Sequence, residues 1–268
     1  MKVCVLRSGS SGNCTIIEYQ GSYLLLDAGG MSQRRIKELL SEVNISLENI
    51  CGLIITHTHS DHLNYSAIKV CEKYKIPLYI HEDNLPIIKS SFGTTLISNL
   101  TIKAFNNDPF VIDKGLEISP FEISHDAAKV TSGFSLMKPS GAFFTYAADL
   151  GYFPDSLTSS FINSKVIVLE SNHDLDLLWK NPQRPYIHKK RVAGNYGHLS
   201  NIQAADAIVK ILDGSHTAPE KIVLCHLSKD HNSPELAIET ISSILDKKGI
   251  KVPLFVAKRS ERTTFFEV

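Results

Sequence analysis

The chain has 268 residues, 43% of them hydrophobic, and its 28 Lys+Arg balance 28 Asp+Glu to a net charge of zero. That length builds one large α/β domain or two small ones. Zero net charge excludes a global positive field for nucleic acid or anionic membrane, and no apolar run approaches the roughly 20 residues of a spanning helix.

From the N-terminus, MKVCVLRSGSSGNC has too short an apolar run before Arg7 for a signal peptide, and a cytoplasmic location is expected. The five cysteines (Cys4, Cys14, Cys51, Cys71, Cys225) include no CxxC and read as reduced, buried thiols. Strand-like runs cover Lys2–Leu6, Cys14–Tyr19 and Tyr23–Asp27, with Gln20-Gly21 turning the last two into a hairpin. Ile36, Leu39, Leu40 and Val43 form a helical stripe over Gln33–Val43. Cys51–Thr56 is an apolar, buried-type strand ending at His57. A helix is expected from about Ser66 to Tyr74, then strands at Pro77–His81, Thr101–Phe105, Leu116–Ser124, Ser132–Met137, Ala142–Ala147 and Val166–Leu169. Ser200-x-x-Gln203 is a capping box, opening a helix with Ile202, Ala205, Val209 and Leu212 inward. Lys221–Cys225 is a further strand, Ser233-Pro234 starts a helix, and Pro253–Val256 and Thr264–Val268 close the chain as strands. The two halves repeat a strands-then-helices theme, which predicts two packed sheets flanked by helices in a single domain, 1–268.

His57-Thr58-His59-Ser60-Asp61-His62 packs three histidines and an aspartate into six positions. Residues i and i+2 of an extended segment point the same way, so His57 and His59 can hold one ion, while a turn at Ser60 swings Asp61 and His62 towards a second. Imidazole and carboxylate donors suit Zn, Mn or Fe. One loop cannot surround two ions. Residues that follow strand-like runs supply the rest: His125 completes the first site, His226 the second, and Asp149 bridges both. Two ions about 3.5–4 Å apart would generate a bridging hydroxide and stabilise attacking and leaving oxygens.

These residues resemble a family. His57-x-His59-x-Asp61-His62 is similar to the HxHxDH signature of the metallo-β-lactamase fold, and Tyr23–Gly29 to that family's early LLDxG strand. The resemblance implies an αββα sandwich of two mixed β-sheets flanked by helices, and it makes Asp27 an orienting support for the ligand loop. The stretch Ser8-Gly9-Ser10-Ser11-Gly12-Asn13-Cys14 is similar to the YycJ/WalJ-like branch, bacterial cytosolic metallohydrolases described as exonucleases.

Asp149, where β-lactamases of this fold commonly carry Cys, resembles the phosphodiesterase and glyoxalase branches. Leu169-Glu170-Ser171-Asn172, Gly197-His198-Leu199-Ser200 and Leu224–Ser228 are similar to ribonuclease Z motifs. By that resemblance Asp61, His198 and Glu170 are catalytic: His198 protonates the leaving oxygen and Glu170 orients and charges it. The chain lacks the long Gly/Pro-rich arm of ribonuclease Z and the inserted domain of β-CASP nucleases. Substrate grip is therefore expected from Arg184, Tyr186, Lys189, Lys190 and Arg191, the densest basic stretch, unless it is only a solvated loop. Ser10 and Asn13 belong either to an anion nest or to a plain turn. The expected activity is a two-metal phosphodiesterase or exonuclease on single strands or ends. The alternative is a small-molecule metallohydrolase cleaving a thioester, lactone or cyclic phosphodiester.

Overall fold

A computed structural model describes residues 1–268 and turns the strand-rich pattern into two facing sheets. The first half supplies β1 (Lys2–Arg7), β2 (Cys14–Tyr19), β3 (Ser22–Leu26), α1 (Gln33–Ser41), β4 (Ile50–Ile54), α2 (Tyr65–Tyr74), β5 (Leu78–His81), α3 (Leu85–Phe92), α4 (Thr94–Ser98) and β6 (Ile102–Phe105). The rest is β7 (Phe110–Ile112), β8 (Leu116–Ile123), β9 (Thr131–Met137), β10 (Phe143–Ala147), β11 (Val166–Glu170), α5 (Leu175–Lys180), α6 (Tyr186–Val192), α7 (Asn201–Gly214), β12 (Lys221–Cys225), α8 (Pro234–Lys247), β13 (Leu254–Val256) and β14 (Phe266–Glu267).

Each sheet has seven strands, ordered β14-β1-β2-β3-β4-β5-β6 and β13-β12-β11-β10-β9-β8-β7. Both are mixed. The first is antiparallel from β14 to β3 and parallel from β3 to β6. The second is antiparallel from β7 to β10 and parallel from β10 to β13. Strand alternation sorts the side chains into layers. Val3, Val5, Val166 and Val168 meet between the sheets. Cys4 and Leu6 face the other way, onto Ile36 and Leu39 of α1 and Ile68 of α2. Ile167 and Leu169 likewise pack on Ala204, Ile208 and Ile211 of α7 and Ile241 of α8. The predicted αββα sandwich is what forms.

The Gln20-Gly21 hairpin forms with φ of 50° and 78°, the paired left-handed conformations of a two-residue turn matched to strand twist. All five cysteines are free. Sequence periodicity missed the three-residue β7 and the helices α3 to α6, which are too short to show a stripe. Two expectations need correction. Ile202 lies outside the inward stripe of α7, at 45% exposure, and Leu212 is only half-buried. The Ser200–Gln203 capping box forms, and Ala205 and Val209 face inward as expected, joined by Ala204, Ile208 and Ile211. The basic stretch is not a loop: Pro185 caps α6, whose last turn holds Lys189, Lys190 and Arg191. No helix is long and apolar enough to cross a membrane.

Candidate metal centre

Strand ends deliver the polar residues. β3 runs into Asp27, β4 into the His57–His62 loop, β8 into His125, β10 into Asp149 and β12 into His226, while Glu170 is the last residue of β11. Open α/β sheets expose their ligand-binding crevices at such carboxyl ends. Asp27, Asp149 and His226 all take left-handed backbone, with φ of 58°, 62° and 54°. That conformation costs non-glycine residues on the order of 1 kcal/mol or more and persists only where the surroundings impose it. It turns each side chain sharply off its strand. Gly29 shows how tightly the loop is held: a Cβ there would stand 2.3 Å from the His62 backbone nitrogen.

Four donor groups result, one of which joins Asp149, Glu170 and His226 to His198. His57, His59 and His125 place one nitrogen each within 4.8 Å of one another, as do the donor atoms of Asp61, His62 and His226. A third group joins His57 and His62 to Asp149, which lies between the first two. Asp149 Oδ2 is 2.6 Å from His62 Nε2 and 3.8 Å from His57 Nε2, and its Oδ1 is 3.0 Å from His226 Nδ1.

The outer hydrogen bonds fix which nitrogen points inward. His62 Nδ1 donates to Asp27 Oδ2 at 2.7 Å, and the Thr56 hydroxyl donates to the same carboxylate at 2.9 Å. With that proton committed, Thr56 Oγ1 accepts from His57 Nδ1 at 3.0 Å. His125 Nδ1 donates to the Gly197 carbonyl at 3.1 Å. Nε2 is thereby the ring nitrogen that His57, His62 and His125 turn towards the centre. Asp27 holds both the strand end and the imidazole. Asp27→Asn should weaken divalent-metal affinity about 10–100-fold, read by chelator competition, with the melting temperature as a control for folding.

The donors also fit a cation by what they lack. His57 Nε2, His226 Nε2 and Asp149 Oδ2 are buried without a hydrogen-bond partner. Each such atom costs about 1–3 kcal/mol. His57 and His226 belong to different donor groups with Asp149 between them, and Asp149 Oδ2, although 2.6 Å from His62 Nε2, makes no well-aligned hydrogen bond, so the three atoms fit donors for cations on either side of Asp149. The set is imidazole and carboxylate without thiolate, which suits Zn, Mn or Fe.

In the protein alone, protons do part of this work. Burial opposes charge on His62, but Asp27 and Asp149 outweigh it and hold its pKa well above the ordinary value. Burial likewise opposes charge on His226, yet Asp149, Asp61 and Glu170 bring it to about 9. Burial, then the His62 charge, pushes His57 well below its ordinary value. A metal ion taking His62 and His226 as ligands would have to displace those protons, and its affinity would then fall as pH falls.

Beside this cluster, His198 Nδ1 lies 2.8 Å from Glu170 Oε1 and 3.2 Å from Asp149 Oδ1. Glu170 Oε1 also meets His226 Nδ1 at 3.0 Å, and its Oε2 accepts from the Leu150 and Leu199 backbone amides at 2.9 and 3.2 Å. Its lone pairs are thus committed to orienting two imidazoles. Burial would raise Glu170, but the His198 charge dominates and its pKa falls to about 2. Burial opposes the charge on His198 too, while Glu170 and Asp149 raise its pKa to about 10.

The expected grip residues divide. Ser10, Arg184 and Arg191 line a polar cavity of about 310 Å³ that His198 and His226 also face. Both arginines are ion-paired, Arg184 with Asp230 and Arg191 with Asp126, so they are not the free cations the sequence suggested. Tyr186, Lys189 and Lys190 lie outside that cavity. Tyr186 packs near Trp179 with ring centroids 5.9 Å apart, and Lys189 Nζ donates to the Trp179 carbonyl at 2.9 Å. Asn13 is buried rather than part of an open nest. Its Oδ1 accepts from Gly9 N at 2.8 Å and its Nδ2 is 2.9 Å from His62 Nε2. His231 lines the same polar cavity and is buried, with Nε2 3.0 Å from Asn181 Nδ2.

Sequence reasoning assigned no role to Thr56 or Arg259, and it placed Ser8 and Asn172 in motifs without their contacts. Ser8 Oγ accepts from the His226 amide at 2.8 Å, and Asn172 Nδ2 donates to the His226 carbonyl at 2.8 Å. Arg259 lines the polar cavity. Thr56 adjoins the ligand loop, and Ser8 and Asn172 lie in the quoted motifs, whereas Arg259 had no readable signal.

Two sheets face to face, with histidines and carboxylates gathered at their strand ends, define the metallo-β-lactamase class of fold. Residues 23–239 match the model of the beta-lactamase superfamily domain. The chain belongs to that superfamily. It is 32% identical over 251 residues to exodeoxyribonuclease WalJ of Streptococcus pneumoniae serotype 2, covering 94% of this chain and 90% of the relative. The metallo-beta-lactamase fold protein YhfI of Bacillus subtilis superposes with a TM-score of 0.71 at 16% identity, over 99% of both chains. The short form of human tRNase Z gives 0.66 at 14% identity, over 98% of this chain and 99% of its own. Those two likenesses are of fold.

Proposed function

We propose that the chain is a cytoplasmic, metal-dependent phosphodiesterase acting on nucleic acid, an exonuclease on single strands or ends, built as one domain over residues 1–268. The observation that carries this is Asp149, whose carboxylate lies between two imidazole sets and 3.2 Å from His198. The relative's name, an exodeoxyribonuclease, points to the same chemistry on DNA. His57, His59 and His125 would hold one divalent ion (zinc, manganese or iron), Asp61, His62 and His226 a second, and Asp149 would touch both. Bound there, such ions supply an activated water and neutralise charge developing on phosphate. Asp61, 3.5 Å from His226 Nε2, fixes the geometry on its side. His198 keeps Nδ1 against Glu170 and presents Nε2 for the leaving oxygen, as a general acid. Ser10, Arg184 and Arg191 flank that departing half.

Cleavage of end-labelled DNA or RNA supported by manganese or zinc is the test. Metal-loaded protein without turnover on any oligonucleotide or on bis-p-nitrophenyl phosphate would sink the reading. The ion pairs of Arg184 and Arg191 favour a second reading, a small-molecule hydrolase of thioesters, lactones or cyclic phosphodiesters. Replacing Arg184, Lys189, Lys190 and Arg191 together by Ala separates the two. A nuclease should lose oligonucleotide affinity and about one unit of salt slope per lost phosphate contact, with small esters unaffected.

A further inference from the structure

A second cavity, of about 610 Å³, opens on the other side of His125 from the polar one. Its size is within the roughly 300–1,000 Å³ of small-molecule sites. Its floor is apolar (Ile123, Pro154, Leu157), and its rim carries two tyrosines, Tyr152 and Tyr196, that are 42% and 66% exposed. Each wall comes from a segment that also carries a residue of the metal centre. Ile123 precedes His125, Tyr152 follows Asp149, and Tyr196 precedes His198. The walls are tied together. Gly151 N donates to the Ser124 carbonyl at 2.8 Å, and Ser124 Oγ donates to the Asn195 carbonyl at 2.7 Å. A Cβ on Gly151 would stand 2.1 Å from that Asn195 oxygen. The cavity is therefore preformed, and its position is locked to the reacting groups. The Asp126–Arg191 ion pair separates it from the polar cavity.

We propose that this cavity binds a nucleobase, that of the nucleotide which keeps the cleaved phosphate, between Tyr152, Tyr196 and the apolar floor. The inference rests on the nuclease reading. His198, the donor to the leaving oxygen, faces the polar cavity, so the departing half lies there and the phosphate-bearing half lies towards His125. Exposed aromatics beside apolar side chains suit the face of any base, although Glu122, Asp126 and Lys129 also belong to the lining. Recognition by stacking is tolerant of sequence.

The test uses the metal-loaded enzyme and oligonucleotides carrying a tetrahydrofuran abasic residue on the phosphate-keeping side of the scissile bond. For the wild type, the abasic strand should raise KM about ten- to a hundredfold, the span of stacking on aromatic side chains. Y152A/Y196A should show that same rise on the intact strand and no further rise on the abasic one, while Y152F/Y196F keeps the wild-type KM. Independently of turnover, a 2-aminopurine at that position should lose emission on binding the wild type in EDTA, but not on binding Y152A/Y196A. An Ala variant with wild-type KM on the intact strand, or abasic and tyrosine losses that simply add, overturns the subsite while leaving the nuclease reading intact. A wild type that cleaves no strand at all overturns the nuclease reading and the subsite with it.

Discussion

Asp149→Ala should leave a folded protein that holds little metal and hydrolyses phosphodiesters more than about a thousandfold more slowly, beyond the loss of any single charge-stabilising donor. On the proposed reading the carboxylate serves both imidazole sets, so both would lose a ligand at once. The proton balance changes as well. His62 and His226 owe their raised pKa values in large part to Asp149. Without it their rings become neutral at lower pH, and two neutral imidazole clusters with a single carboxylate, Asp61, bind a dication less well than the original pair. Elemental analysis after gel filtration and kcat on bis-p-nitrophenyl phosphate read the two losses. Circular dichroism checks the fold, which the three apolar layers should maintain because none of them uses Asp149. Retention of both ions by the variant would show that Asp149 is not the shared ligand.

The centre was legible in the sequence where its geometry is local. His57 to His62 fit one turn, and a strand that ends in a polar residue after an apolar run declares where that residue goes. His125, Asp149 and His226 could be placed on that basis. The groups that orient them could not. Thr56 lies beside the loop, but the Gly197 carbonyl that holds His125 is 72 residues away and the Ser8 hydroxyl that meets the His226 amide is 218 away. Backbone acceptors and single hydroxyls have no spacing signature, because tertiary packing alone brings them in. The same reason explains the basic stretch. Its partners Asp230 and Asp126 stand 46 and 65 residues from Arg184 and Arg191, so a run of cations in sequence became a set of ion pairs in the fold. The layers, by contrast, follow from strand alternation alone, and only short elements such as β7 and α6 escaped.

His198→Ala should separate the acid half of the reaction from the metal half. His198 belongs to neither imidazole set, although its Nδ1 also approaches the donor atoms of Asp149, Glu170 and His226, so on the proposed reading the variant should keep its ions. On an oligonucleotide the leaving alkoxide needs a proton, and kcat should fall by about 10²–10⁴. On bis-p-nitrophenyl phosphate the leaving phenolate departs unprotonated, and the rate should stay near that of the wild type. A loss of equal size on both substrates would mean that His198 supports the metal centre rather than the departing group. Glu170→Gln gives the complementary result. The glutamate charge raises His198, whose pKa stands at about 10. Removing that charge lets the imidazolium lose its proton at lower pH, so the alkaline limb of the kcat profile should move down by about one to three pH units, the effect of one adjacent opposite charge. Because Glu170 Oε1 also meets His226 Nδ1, this variant should lose some metal affinity as well, which His198→Ala should not. The two variants together therefore locate the proton that the departing oxygen takes and the carboxylate that keeps it there.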